Sequence, residues 1–135
     1  MFTNEFMQKF QELWNNDENI TGPLKGINFT ANVGYGFKDE EKPMAVIIIK
    51  DGIVTEAREY RDEELDWDMR CTPDNWIYYM KNGMGVSTLA SAYSMGWLRF
   101  LKGDYFSMVK NPSMIGPFVK SFDCMSQVYA ATQSN

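Results

Sequence analysis

The pair Asp51-Gly52 constrains this chain more than any other feature, because it separates two runs that both have the composition of strands. The first run, 44–50, is almost continuously apolar, and the second covers 53–60. An Asp-Gly pair between two such runs favours the tight turn whose twist matches that of the flanking strands. The sequence therefore predicts a β-hairpin over 44–60.

A helix and two further strands surround the hairpin. Apolar residues alternate with small or polar ones over 27–37 and again over 65–72, which is the pattern of a strand with one buried face. Over 6–14 the apolar residues instead recur at i, i+1, i+4, i+7 and i+8, which predicts an amphipathic helix capped by Thr3 or Asn4. We therefore expect the first half to form a helix followed by an antiparallel meander.

Gly34 and Gly36 flank Tyr35 in the first of these strands and raise the question of a phosphate-binding loop. Such a loop needs a following helix whose N-terminus meets the phosphate. The residues that follow, 38–43, are instead polar and typical of a solvated turn. We interpret the two glycines as permitting a bend or the close approach of another backbone.

Two carboxylates share one face of the strand over 65–72, as they would in a metal site or an acid–base pair. They belong to Asp66 and Asp68, and Arg70 continues the same face. Arg58 and Arg61 lie in the preceding segment, so a solvated face with cross-strand ion pairs accounts for the same residues. We prefer this second interpretation and expect no catalysis there.

The second half begins with Thr-Pro-Asp at 72–74, which provides the cap, the first-turn proline and the early acidic residue of a helix. Asn-Gly at 82–83 ends that helix. A second helix is predicted over 86–95, followed by a last strand over 97–102. Gly-Asp at 103–104 then forms a corner whose Asp can cap the next helix.

From Ser113 onward apolar residues recur at steps of 3, 4, 3 and 4. This spacing gives a narrow apolar stripe on a final helix of about 20 residues, roughly 30 Å long. The stripe consists of Ile115, Phe118, Phe122, Met125 and Tyr129. Taken alone, such a stripe is typical of a core or of a seam between helices.

Length and composition indicate one globular domain over 1–135, with 44% hydrophobic residues. A net charge of −5 argues against nucleic-acid binding and leaves at most transient contact with an anionic membrane. No apolar run of about 18 residues exists, so we expect no membrane-spanning helix. The N-terminus, MFTNEFMQKF, mixes polar and apolar residues and does not have the pattern of a signal peptide.

Cysteine and histidine usage narrows the chemistry further. Cys71 and Cys124 lie far apart, and without a signal sequence we expect two reduced, mostly buried thiols. The chain has no His and lacks closely spaced ligands for zinc, so we expect no metal and no cofactor. These observations favour a cytoplasmic protein.

Several motifs follow one another in a recognisable order: the Asp-Gly hairpin, a strand ending in Thr72, Asp-x-Trp at 74–76, Ala-Tyr-Ser-Met-Gly-Trp-Leu at 92–98, and Gly-Asp at 103–104 before the last helix. Together they resemble the sterol carrier protein-2 (SCP-2) family of lipid-transfer domains. The order of elements agrees over nearly the whole chain. The resemblance implies an α+β fold in which a five-stranded, mainly antiparallel sheet is covered by helices, with an apolar tunnel between them.

The chain departs from the family pattern in two places. The spacing from Gly96 to Gly103 is one residue longer than expected, which predicts a β-bulge in the last strand. The tail Thr-Gln-Ser-Asn also lacks the peroxisomal address, Ser-Lys-Leu or similar, that some members carry.

The resemblance implies that the protein holds an apolar ligand, such as a fatty acid, acyl-CoA, sterol or phospholipid. Because the chain has no His and no apparent nucleophile–base pair, we also expect that it is not an enzyme. The candidate lining residues are Trp76, Met80, Leu89, Tyr93, Phe106, Met114, Phe118, Phe122 and Met125. Six of the ten Met lie in the second half, and their unbranched side chains adapt to varied apolar shapes. Tyr79, Tyr93 and Arg99 are available for a polar head group.

Two other functions fit parts of the sequence. The stripe from Ile115 to Tyr129, if exposed, is a surface for a partner or for a second copy, giving an interaction module or homodimer. A conical fold of the ketosteroid-isomerase type can perform Tyr and Asp acid–base chemistry without His. That fold normally opens with helices and closes with strands, whereas this chain is predicted to close on a helix.

Overall fold

Six helices and five strands are formed by residues 1–133, which are the residues that the computed structural model describes. The helices are α1 (Asn4–Asn15), α2 (Glu18–Gly26), α3 (Pro73–Asn82), α4 (Val86–Ser94), α5 (Tyr105–Lys110) and α6 (Pro112–Gln133). The strands are β1 (Ala31–Phe37), β2 (Ala45–Lys50), β3 (Ile53–Glu59), β4 (Trp67–Cys71) and β5 (Arg99–Lys102). The predicted α+β class is confirmed.

The five strands form one mixed sheet in the order β3-β2-β1-β4-β5. Pairs β1–β2, β2–β3 and β4–β5 are antiparallel, whereas β1 and β4 are parallel. The expected antiparallel meander is therefore wrong at β4, which pairs with β1 and not with β3. Alternation of apolar residues fixes which face of a strand is buried, but it does not determine which strand becomes its neighbour.

The central hairpin forms at the predicted turn. Asp51 and Gly52 both have positive φ, +48° and +81°, as a two-residue hairpin turn of this hand requires. The Gly52 carbonyl accepts a hydrogen bond of 2.9 Å from the indole of Trp14, which ties the turn to α1. The hairpin therefore positions α1 against the inner face of the sheet.

The outer face of β1 is covered by the loop that follows it. A Cβ on Gly36 would lie 2.6 Å from the Cα of Pro43, and one on Gly34 would lie 2.8 Å from a methyl carbon of Leu65. Real Cβ atoms do not approach other heavy atoms so closely. Gly36 permits the close approach of another backbone, as predicted, whereas Gly34 makes room for the side chains of Leu65 and Pro43. The two glycines do not form a phosphate-binding loop.

Of the two predicted carboxylates, Asp66 precedes β4 and is exposed, whereas Asp68 of β4 does not lie on a solvated face. Asp68 and Arg70 are both buried and form a two-pronged ion pair, with Nε–Oδ1 at 2.7 Å and Nη2–Oδ2 at 3.1 Å. The same guanidinium donates to the carbonyls of Phe37 and Glu40. The expectation of solvated cross-strand pairs is wrong here, because the loop after β1 covers this face and supplies the remaining acceptors.

Local signals predicted most element boundaries, but they missed α2 and did not separate the short helix α5 from the final helix. The hydroxyls of Thr3 and Thr72 cap α1 and α3, and Asp104 caps α5. Helix α2 was not predicted, because it contains Gly22 and Pro23 and buries only Ile20 and Leu24. The predicted strand over 27–37 correspondingly begins later, at Ala31.

The segment between α4 and α6 contains the predicted bulge. Met69 pairs with Phe100 and Asp68 pairs with Lys102, so Leu101 has no partner on β4. Beyond the corner, the chain forms the short helix α5 before α6 begins at Pro112. The predicted final helix is confirmed, and its apolar stripe faces α1, α2 and α3.

Candidate functional site

The helices and the inner face of the sheet enclose one continuous apolar core. Phe118 of α6 is fully buried, and its ring centroid lies 5.7 Å from that of Phe29 and 6.1 Å from that of Trp67. The Trp14 ring of α1 lies 6.3 Å away on another side. Side chains from α1, α6 and the sheet therefore meet at Phe118.

A second aromatic group lies between β1 and the two helices α1 and α3. The ring of Tyr35 is stacked on Phe2 at 5.9 Å and meets Phe10 at 6.0 Å and Trp76 at 6.4 Å. The indole of Trp76 donates a 2.7 Å hydrogen bond to the Gly36 carbonyl. Every side chain in this group is large and buried.

Eight of the nine predicted lining residues belong to this core or pack against it. The buried ones are Trp76, Met80, Leu89, Phe118, Phe122 and Met125. Tyr93 and Met114 are half-buried at its edge. Phe106 is 57% exposed and does not belong to the core, although its ring contacts that of Tyr93 at 5.8 Å. The structure thus brings eight of the nine to one layer, and their role as ligand contacts stays a prediction.

Tyr35 is a polar residue of this layer that sequence reasoning did not select. Its hydroxyl is buried and has no hydrogen-bond partner among the residues that the structure describes. Burial raises the pKa of Tyr35 far above its ordinary value of 10.0, so the phenol stays protonated and can donate. The signal was present in the sequence, because Tyr35 lies on the apolar face of an alternating strand.

The three residues predicted for a head group lie on separate elements. Tyr79 is on α3 and buried, and burial raises its pKa. The ring of Tyr93, on α4, is stacked on that of Tyr105 at 3.9 Å. Arg99 is exposed on β5. Their assignment to a head group stays a prediction.

A cleft of about 390 Å³ lies between α1 and α6. Its floor contains Leu13 and Val128, both of which also pack in the central core. Lys9, Glu12 and Gln127 form its polar rim. The cleft therefore exposes part of the same apolar layer, with polar groups where it meets water, and its volume is within the range of ligand pockets.

A second cleft, of about 370 Å³, lies between α1 and β3 and is mainly polar. Its lining residues are Asn4, Gln8, Gln11, Thr55, Glu56, Ala57, Arg58 and Arg61. None of the predicted lining residues belongs to either cleft. A polar, open surface of this kind offers an apolar molecule little to bind.

The two thiols are unreactive in character. Both are free and buried, and burial raises the pKa of Cys71 to about 12 and that of Cys124 to about 11. Since the thiolate is the reactive form, neither is activated as a nucleophile at neutral pH. The prediction of reduced, buried thiols is confirmed.

Residues 1–133 offer neither a metal cluster nor a membrane span. In this part of the chain no three His, Cys, Asp or Glu side chains are grouped so that they could hold a metal ion. Within the same range, no helix combines the length and apolar character needed to cross a bilayer.

The architecture is that of an SCP-2-like domain. No protein-family model matches the chain, and no curated protein matches it at a significant level. Solved structures do match. The crystal structure of sterol carrier protein 2 agrees with a TM-score of 0.70 at 16% identity, over 90% of this chain and 96% of that one.

Two further solved structures share the fold. A conserved hypothetical protein from Thermus thermophilus, described as possibly a sterol carrier protein, gives a TM-score of 0.61 at 15% identity, over 95% of this chain and 86% of its own. The ubiquinone synthesis protein UbiJ-SCP2 gives 0.58 at 7% identity, over 90% and 92%. The SCP-2-like fold inferred from the motifs is confirmed.

Proposed function

We propose that this protein is a small, non-enzymatic, cytoplasmic lipid-binding or lipid-transfer protein. It holds a fatty acid, acyl-CoA, sterol or phospholipid between the sheet and the C-terminal helices. The observation that carries the proposal is the single apolar layer, which joins eight of the nine predicted lining residues within an SCP-2-like fold. A structural neighbour that is by name a sterol carrier supports the same class of ligand.

Methionines allow the layer to admit a ligand without unfolding. Met80 and Met125 are buried beside the aromatic groups, and Met114 packs at their edge. Their unbranched, flexible side chains can change rotamer and make room for an alkyl chain or a ring system. Such a core suits ligands of varied shape better than one filled by branched residues.

The cleft between α1 and α6 is the proposed entrance. Because Leu13 and Val128 belong both to its floor and to the core, a chain entering there stays in contact with apolar groups. Lys9 at the rim can meet an anionic head group. Deep in the layer, the hydroxyl of Tyr35 offers a hydrogen bond to a polar atom of the ligand.

Organic extraction of the purified protein followed by mass spectrometry tests the proposal directly. We expect co-purified acyl lipid or sterol in the extract. We also expect the protein to bind a fluorescent fatty acid that unlabelled lipid displaces at micromolar concentration. Met125→Trp fills the layer and should weaken binding of the fluorescent fatty acid by roughly tenfold or more. Met125→Phe provides a milder block if the larger side chain prevents folding.

Met44→Trp is the matched control, since Met44 is 40% exposed and lies outside the core. Circular dichroism establishes that each variant is folded. The proposal fails if the extract contains no lipid and the folded protein does not bind the fluorescent fatty acid. It also fails if Met125→Trp and Met44→Trp bind the fluorescent fatty acid equally well.

A further inference from the structure

Exposed apolar side chains are concentrated on one part of the molecule. Of the eight large hydrophobic residues that are exposed within 1–133, six lie between 78 and 106. Four of these follow one another through the end of α4, β5 and the start of α5. We call this surface the α4–β5 face; it consists of Met95, Trp97, Leu101 and Phe106, which are 62%, 45%, 54% and 57% exposed.

An aromatic cluster holds these elements together beneath the α4–β5 face. The ring of Tyr93 contacts those of Phe100, Tyr105 and Phe106, with centroids 3.9 to 5.9 Å apart. Leu101 is the unpaired residue of the bulge in β5. The exposed side chains therefore project from a packed support, and their exposure is built into the fold.

The charge around the α4–β5 face differs in sign from that of the whole chain. Residues 75–106, which include the whole face, contain Lys81, Arg99 and Lys102 and one acidic residue, Asp104, so this segment carries +2. Because the whole chain carries −5, the remaining residues carry −7. All three basic side chains are exposed. The overall negative charge thus conceals a positive, apolar surface.

Lys38 adds a further positive charge beside the face, since its ammonium donates a 2.5 Å hydrogen bond to the Gly96 carbonyl. Of the acidic groups close to the face, Asp68, which lies opposite Lys102, is paired with Arg70. Asp104 is exposed and keeps its negative charge, because its hydrogen-bond donors, the Phe106 amide and the Ser107 hydroxyl, are neutral. The basic groups beside the face therefore outnumber this exposed carboxylate.

We propose that the α4–β5 face docks this protein reversibly on the surface of an anionic phospholipid bilayer. Trp97, Leu101 and Phe106 enter the headgroup region, while Arg99 and Lys102 meet lipid phosphates. Exposed aromatic and aliphatic side chains ringed by Lys and Arg are the composition that binds a membrane interface. Each nearby basic side chain adds attraction to an anionic leaflet.

The charge distribution also orients the molecule. An anionic surface attracts the segment that carries +2 and repels the remainder that carries −7, so the α4–β5 face turns toward the bilayer. A second copy of the chain fits the face less well, because two positive surfaces repel. The edge strand β5 is also only four residues long, is interrupted by a bulge and carries Lys102, all of which hinder pairing between edges.

Vesicle binding tests this proposal without any bound cargo. We expect the protein to co-sediment with vesicles of phosphatidylcholine mixed with phosphatidylserine, and to bind phosphatidylcholine vesicles much less. Trp14, Trp67 and Trp76 are buried, so a shift of tryptophan emission to shorter wavelength reports Trp97. That shift should vanish in Trp97→Phe.

The double variant Arg99→Glu with Lys102→Glu should lose roughly tenfold or more in partitioning. Trp97→Ser should lose roughly fivefold. Lys50→Glu and Met44→Ser are the matched controls, because both residues are exposed outside the face, and they should bind as the unaltered protein does.

Equal binding to both kinds of vesicle, no binding at all, or equal losses in the face variants and the controls would each overturn the proposal. So would a self-associated species in sedimentation that the face variants convert to monomer. The lipid-extraction and displacement experiments use no vesicles. Their failure is therefore distinguishable from failure here.

Discussion

Tyr35 and Trp76 are neighbours in the core, yet only one of them has its polar group satisfied. The Trp76 indole donates to Gly36, whereas the Tyr35 hydroxyl is buried and finds no acceptor among residues 1–133. A buried group of this kind costs free energy in the folded state. Unsatisfied groups in a native core call for an explanation, and a ligand atom is the one we propose.

The first prediction concerns this hydroxyl. Tyr35→Phe should raise the free energy of unfolding of the ligand-free protein by about 1 kcal/mol, because it removes an unsatisfied buried group. Urea denaturation measures the change. Tyr60→Phe is the control, and its effect should have the opposite sign. Because the Tyr60 hydroxyl donates a 2.7 Å hydrogen bond to the Glu63 carbonyl, this variant should lower the free energy of unfolding by about 1 kcal/mol.

A loss of stability in Tyr35→Phe would show that the hydroxyl is satisfied after all. The same variant should bind a fluorescent fatty acid more weakly, because the proposed partner of the ligand's polar atom is gone. Opposite effects on stability and affinity distinguish a ligand contact from an ordinary core residue.

The burial of Asp68 and Arg70 could not be predicted from their residue types alone. Both side chains alternate with apolar neighbours, which is the usual pattern of a solvated strand face. They are buried because Pro43 and its loop cover β1 and β4 from outside. A charge can be buried there only because the partner carboxylate and two carbonyls satisfy it.

At the scale of elements, β1 depends on a close fit with the loop behind it. The structure leaves no room for a side chain at Gly36, where the Pro43 backbone lies against the strand. This is why two glycines are tolerated in the middle of a strand, where they otherwise weaken it. The loop in turn supplies acceptors to Arg70.

The second prediction tests that fit. Gly36→Ala should lower the free energy of unfolding by about 1 to 3 kcal/mol, because the added Cβ forces the loop away from the strand. Gly26→Ala is the matched control, since it lies at the end of α2 with nothing within 4 Å of its Cβ position. We expect it to be neutral or to stabilise by about 0.5 kcal/mol.

Thermal or urea unfolding of the two variants measures the difference. Equal stabilities would contradict the close approach at β1. The comparison separates a general effect of replacing glycine, which acts through the unfolded chain, from the specific lack of space at Gly36.

At the scale of the whole molecule, the stripe of α6 bears on the interaction-module alternative. Phe118, Phe122 and Met125 are buried within their own chain, so the stripe does not offer an exposed surface to a partner. Helix α6 packs this face against α1, α2 and α3. A dimer formed through the stripe would require these side chains to be exposed, and they are not.

The third prediction follows from this burial. Sedimentation velocity at micromolar concentration should give one species with the mass of a single chain. Phe122→Ser should lower the unfolding midpoint and should not change a monomer–dimer equilibrium, because the side chain is 4% exposed. A tight dimer that Phe122→Ser dissociates into folded monomers would contradict this.

Much of the fold follows from local patterns in the sequence. Asp51-Gly52 determined the hairpin, Thr72 determined the start of α3, and the spacing before Gly103 predicted the bulge at Leu101. Each signal acts through residues a few positions apart, so it keeps its meaning whatever the rest of the chain does. Helix α2 escaped prediction because Gly22 and Pro23 weaken those same local signals.

Tertiary structure alone decided which residues far apart in the chain became neighbours. It placed β4 parallel to β1, buried the pair of Asp68 and Arg70, and left the Tyr35 hydroxyl without a partner within 1–133. These outcomes depend on how separate elements pack and on which polar groups then remain satisfied. Periodicity along one segment carries no information about the surface that will cover it.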